Sequence, residues 1–189
     1  MLFKPPKIKY TDRYSKTKYV FNKYSSILKG RVLDIGGGEG YLREYIPDYT
    51  NIDKVSTADI QLDLEKETIP FEDNSFNCVL CLDALEHLDN LHDVFDKLCR
   101  ITKKWLIISL PNCQPFSFRF WRKLSSKYGL PAEKPLDRHK WYYYFGDARN
   151  FIKARSKLNN MHIIQLDSER RRLRKGTIWA VLRKKEEGN

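Results

Sequence analysis

Val32-Leu33-Asp34-Ile35-Gly36-Gly37-Gly38-Glu39-Gly40 is the stretch on which the fold turns. It opens as an apolar run of strand type interrupted by one carboxylate, and glycines then crowd the next positions. A buried strand that runs into clustered glycines and then a helix lets a ligand approach the backbone without meeting Cβ atoms. Dinucleotide sites use G-x-G-x-x-G, the third glycine allowing close helix packing. Here Gly36, Gly38 and Gly40 are spaced G-x-G-x-G, with Asp34 before them. A carboxylate at that point repels a pyrophosphate and suits a ligand carrying an ammonium group. The spacing therefore disfavours a nucleotide-binding oxidoreductase.

Working outward, Thr11 or Asp12 can cap a helix running to about Leu28, with Val20, Tyr24, Ile27 and Leu28 on one face and Gly30 at its end. After the glycine turn a brief helix reaches Tyr45 and stops at Pro47. Tyr49 to Asp53, Ala58 to Leu62 and Phe76 to Leu82 read as strands. Asn90 to about Thr102 is an amphipathic helix with Leu91, Val94, Phe95, Leu98 and Ile101 inward. Trp105 to Leu110 is an apolar strand that Pro111 should end. This alternation predicts a doubly wound sheet. Beyond it the rhythm changes: an aromatic, basic helix over Gln114 to Tyr128, an irregular loop, and a helix from Asp147 to about Leu158. Two strands, Met161 to Leu166 and Thr177 to Leu182, then flank a basic tip.

With 189 residues, 41% of them hydrophobic, the chain supports one α/β core and not two domains. It lacks the apolar run of about 18 residues that a membrane span needs, and its first residues lack the apolar stretch of a secretory leader. The expectation is a cytoplasmic protein. The four cysteines form no framework. Cys78 and Cys81 make a C-x-x-C, but on a strand residues three apart face opposite ways, so they read as buried thiols and not as a zinc or redox pair. The formal net charge of +11 suits a nucleic acid, an anionic surface or an acidic substrate without choosing among them.

Four segments in order resemble the class I S-adenosylmethionine-dependent methyltransferases of the small type 11 kind, over most of residues 30 to 113. They are Val32 to Gly40; Asn51-Ile52-Asp53; Leu62-Asp63-Leu64 followed by Ile69-Pro70-Phe71-Glu72-Asp73-Asn74-Ser75-Phe76-Asn77; and Cys81-Leu82-Asp83-Ala84-Leu85-Glu86-His87-Leu88. The resemblance implies an enzyme with a Rossmann-like doubly wound α/β sheet, mostly parallel with an antiparallel C-terminal hairpin and helices on both faces. It implies S-adenosyl-L-methionine as donor: Asp34 at its methionine end, Gly36, Gly37, Gly38 and Gly40 shaping its bed, Asp53 at the ribose, Asp63 and Leu64 at the adenine, and Cys81, Leu82 and His87 along the site. The plain alternatives are a turn cap for Asp34, surface acids for Asp53 and Asp63, and a structural histidine for His87. Glu86 reads as a hydrogen-bond anchor. The sequence departs from the family at Asn77, where an aspartate is usual, and at Thr102-Lys103-Lys104, which replaces a Pro-Gly-Gly turn.

The single domain then divides into an arm and helix (1–30), a donor-binding core (31–110), an acceptor-side lid (111–160) and a C-terminal strand hairpin (161–189). On the acceptor side His139 is the first candidate for a proton acceptor, since imidazole titrates near neutrality, with Asp83 second; a loop-packing role is the alternative for His139. The expected acceptor is a small, glycan- or lipid-type or anionic molecule. Basic residues interleaved with aromatics, and the run Arg170-Arg171-Arg172-Leu173-Arg174-Lys175, keep an RNA acceptor, or a non-catalytic protein binding nucleic acid, as the other reading.

Overall fold

The computed structural model describes residues 3–7, 10–112, 139–141, 143–171 and 174–186. Its frame is a seven-stranded sheet: β1 (Val32–Ile35), β2 (Tyr49–Asp53), β3 (Ile60–Gln61), β4 (Phe76–Leu82), β5 (Thr102–Asn112), β6 (Met161–Arg171) and β7 (Arg174–Lys184), in the order β3-β2-β1-β4-β5-β7-β6. The first five strands are parallel, and β7 enters antiparallel between β5 and β6. The chain reverses its winding at β1 and β4, and a crevice opens there beyond the strands' C-terminal ends.

Alternation along the strands sorts side chains onto two covered faces. Leu33, Ile35, Val79, Cys81, Leu106 and Ile108 pack with Val94, Phe95 and Leu98 of α2 (Leu91–Ile101) and with Ala148 and Ile152 of α3 (Phe145–Leu158). Val32, Cys78, Leu80, Ile107, Trp179 and Val181 pack with Val20 and Tyr24 of α1 (Arg13–Tyr24). Cys78 and Cys81 thus lie on opposite faces, both buried and free. No described helix is long and apolar enough to cross a membrane.

The arm before α1 has little regular structure, yet it is anchored. Phe3 packs edge-on against Tyr24 and donates its backbone N–H to Gln165, while the Tyr10 hydroxyl pairs with that of Thr177. Asp12 caps α1 through a reciprocal capping box with Ser15. The helix stops at Tyr24, short of Leu28, because the Tyr24 carbonyl accepts the N–H groups of both Ile27 and Leu28 and closes a turn. Ile27 and Leu28 are buried all the same.

Pro111 does not end β5, which runs on to Asn112. β4 finishes at Leu82, opposite Ser109, so the proline's missing N–H falls beyond the end of the β4 ladder. The departure at Thr102 has a local cause too: α2 passes straight into β5, and the Thr102 hydroxyl caps the helix on the Leu98 carbonyl. Asn77 accepts the Arg31 N–H and packs beneath Gly30. β3 is only two residues, shorter than expected. α3 begins at Phe145, two residues ahead of Asp147, and its buried Ala148 and Ile152 make it a layer helix of the sheet inside the span expected as a lid. The helix expected over Gln114 to Tyr128 and most of the loop after it lie outside the described residues.

Candidate functional site

A cleft of about 150 Å³ opens at the C-terminal end of β1, between the glycine turn and α1. Its walls include Asp34, Gly36, Gly37, Leu82 and Asp83 from the strand ends, and Arg13, Lys16, Thr17 and Val20 from the helix. Asp34 forms part of this wall though only 5% of its surface is exposed. Burial pushes its carboxyl up to about 7; a hydrogen bond from the Tyr49 hydroxyl (2.8 Å) and the Lys16 charge oppose the rise, and Asp53 adds to it.

The glycines here answer to specific constraints. Gly36 has φ +74°, and a Cβ there would stand 2.6 Å from that of Ala84; a Cβ on Gly37 would stand 3.0 Å from the Asp34 carboxylate. β2 fixes the turn from behind. The Asn51 amide donates to the Gly38 carbonyl (2.8 Å), and the Gly38 N–H donates to Asp53 (2.8 Å). A buried carboxylate beside backbone clear of Cβ atoms fits a cationic group on an extended ligand.

Asp53 is thus bound to the turn and not part of the cleft wall. Asp63 caps the turn that follows it: its carboxylate accepts the Glu65 N–H (3.0 Å) and pairs with Lys66 (3.1 Å), contacts that hold its carboxyl below the usual range against a small burial effect. Leu64 and Cys81 are buried in the core beside α2. Burial first, then the charge of Glu86, pushes the Cys81 thiol well up. Gly38, Gly40 and His87 also stand outside the cleft wall.

Asp83 directly follows β4 with φ +51°, a left-handed conformation uncommon for a residue with a side chain and typical of constrained sites. It accepts hydrogen bonds from the Lys16 ammonium and the Ser109 hydroxyl (2.6 Å to Ser109). Burial favours its neutral form, but the Lys16 charge and these bonds outweigh that and hold the carboxyl below its ordinary value. Lys16 also reaches the Ser109 hydroxyl at 3.1 Å, so α1 is fastened to the ends of β4 and β5.

The second cluster lies just past Asp83. Glu86 and His87 sit on a short 3-10 turn, Leu85–His87, and His139 comes to them from far along the chain. The two imidazoles meet edge to face at 4.7 Å, and one ligand atom from each of Glu86, His87 and His139 lies within 4.8 Å of the others. The Glu86 carbonyl accepts the N–H groups of Lys140 and Trp141 (2.8 and 3.1 Å), and the Trp141 indole donates to the Leu88 carbonyl (2.7 Å). Lys140 pairs with Glu65 and Asp89.

The sequence did not reveal Lys16 or Arg13 as wall residues, although Arg13, Lys16, Thr17 and Val20 repeat at helical spacing along one side of α1. Ser109 carried no signal beyond its place at the end of an apolar strand.

A family model described as a methyltransferase domain matches residues 11–165. No curated protein matches the sequence significantly. Among solved structures, magnesium protoporphyrin IX methyltransferase from Synechocystis PCC 6803, crystallised with bound SAH, aligns with a TM-score of 0.58 at 16% identity, over 91% of this chain and 83% of that one. A putative methyltransferase from Bacillus halodurans aligns with a TM-score of 0.61 at 15% identity, over 90% and 98%. The [4+2]-cyclase SpnF aligns with a TM-score of 0.64 at 12% identity, over 90% and 80%. Likeness to a cyclase shows that this architecture alone does not name a reaction.

Proposed function

The chain belongs to the methyltransferase-domain family, class I and Rossmann-like, and from that premise we propose that it methylates a small-molecule, glycan-type or lipid-type acceptor. Its methyl donor is S-adenosylmethionine. The observation that carries the reading is Asp34, a buried carboxylate in the wall of a glycine-lined cleft.

When bound, the donor supplies an electrophilic sulfonium methyl group, and the protein's part is to position, shield and neutralise. Asp34 pairs with the donor's ammonium, with Gly36, Gly37, Gly38 and Gly40 leaving the backbone open beside it. Asp53 serves the ribose; Asp63 and the Leu64 backbone serve the adenine; Leu82 flanks the site from β4, with Cys81 buried behind it. α1 lies over the cleft through Arg13 and Thr17 and excludes water, held down by Lys16 on Asp83. Asp83, kept ionised by Lys16 and Ser109, is a weak base and a good orienting acceptor. The acceptor's proton leaves to solvent on the side of His87 and His139.

Calorimetric titration of the intact protein with S-adenosylmethionine tests the reading. Binding is expected, and Asp34→Ala should abolish it; no binding by the unaltered protein would overturn it. Tritiated methyl transfer into fractionated extract then identifies the acceptor class, and label confined to RNA would overturn the small-acceptor part.

A further inference from the structure

Glu86, His87 and His139 present one carboxylate and two imidazoles, the donor set of three-ligand zinc and non-haem iron centres. Glu86 is 1% exposed, and the two histidines are half-buried. We propose that these three side chains form a divalent transition-metal site at the acceptor side of the cleft, taking zinc or a chemically similar ion.

Three observations support it. The ligand atoms lie within 4.8 Å of one another, while bonds of about 2.0–2.2 Å hold the donors of a tetrahedral ion roughly 3.4 Å apart. Rotation of half-buried imidazoles covers that difference. The frame is fixed, because the Glu86 carbonyl and the Leu88 carbonyl bind the segment carrying His139 onto the turn carrying His87. The charge is suitable: Glu86, itself buried, offers a cation its carboxylate. Imidazole ligands select zinc, cobalt or iron over magnesium and calcium, which prefer all-oxygen shells. Cys78, Cys81 and Cys99, buried in the core, are not competing ligands.

Three protein ligands leave coordination positions for water or an acceptor oxygen. The site's role rests on the methyltransferase reading: an acceptor hydroxyl bound there would lose its proton to solvent more readily. The ligand set rests on geometry alone.

The test uses the intact chain stripped with a chelator. Zinc is expected to bind with one-to-one stoichiometry by calorimetry, and cobalt to give the visible absorption of a low-coordinate ion. His87→Ala and His139→Ala should each weaken zinc binding by about 100-fold or more, while His162→Ala, on β6, leaves it unchanged and magnesium does not compete. No cobalt absorption, or a His139→Ala variant that binds zinc like the unaltered protein, would overturn the site. Thermal melting of both variants, and S-adenosylhomocysteine binding of His139→Ala, show that they fold. Lost zinc binding in a variant that still binds S-adenosylhomocysteine supports the ligand assignment. If the unaltered chain binds zinc and no S-adenosylhomocysteine, the methyltransferase reading fails and the metal site stands.

Discussion

The Tyr49 hydroxyl stands 2.8 Å from the Asp34 carboxylate, and that hydrogen bond is not enough to keep the buried acid at its ordinary value: its carboxyl sits at about 7. Between the ordinary carboxyl value and about 7 the folded protein holds a proton that the unfolded chain releases. Stability contributed by the protonated acid is therefore present at low pH and lost as pH rises toward and through 7. Asp34→Asn should raise the thermal midpoint of the ligand-free protein at pH 8, by an amount corresponding to at most about 4 kcal/mol. At pH 4 it should change little. Differential scanning calorimetry at both pH values checks the sign, and equal midpoints at pH 8 would count against a penalised carboxylate.

The same proton couples to ligand binding. Pairing with an ammonium requires the ionised acid, so donor affinity should fall as pH drops from 8 toward 6, and binding near pH 7 should release a fraction of a proton. Titration calorimetry in two buffers of different ionisation enthalpy at pH 7 measures this release. Asp34→Asn should remove it.

Lys16 joins α1 to Asp83 and Ser109 across the mouth of the cleft. Lys16→Met keeps much of the side chain's apolar length and removes the charge. The expected result is a donor that leaves roughly ten times faster, with earlier proteolytic cutting in the segment around Tyr10 to Lys18. Stopped-flow displacement of a fluorescent donor analogue reads the first effect; an unchanged dissociation rate would mean α1 does not retain the ligand.

Gly36 combines a left-handed backbone with a Cβ position only 2.6 Å from Ala84. Gly36→Ala should cost about 2 kcal/mol or more in stability, from conformational strain and overpacking, and should displace the turn that begins at Ala84. Urea unfolding together with donor titration checks both losses. Gly146→Ala, at a position where an added Cβ meets nothing, should be tolerated.

Burial pushes the thiols of Cys78 and Cys81 far up and that of Cys99 to about 12. Ellman's reagent should therefore find these three unreactive at pH 8 until the protein is unfolded. Rapid native modification of any of them, located by peptide mapping, would show that the core opens.

Much of the frame was readable in advance. Phe76 to Leu82 is an apolar run save for Asn77, buried over most of its length, and its limits agree with the structure to the residue. Asp34 stood out because a carboxylate ahead of the glycines repels a pyrophosphate and suits an ammonium group. The ends of elements were harder. Pro111 continues a strand because a neighbouring strand stops short, a tertiary fact without a local signature. α1 ends where one carbonyl takes two donors, which periodicity does not register. The meeting of His87 and His139 was not legible, since the Glu86 and Leu88 carbonyls that dock the His139 segment are backbone atoms available in any sequence.

The place of β7 carries a consequence for how the protein comes to exist. This strand is late in the chain yet lies inside the sheet, between β5 and β6, and its Trp179 forms part of the surface on which α1 rests. A ribosome-bound chain that has released the whole glycine turn still lacks the seat for the helix that covers it. Competence to hold a ligand should thus appear abruptly, once residues through Lys184 have emerged, and a truncated nascent chain should present an open, apolar sheet edge to chaperones.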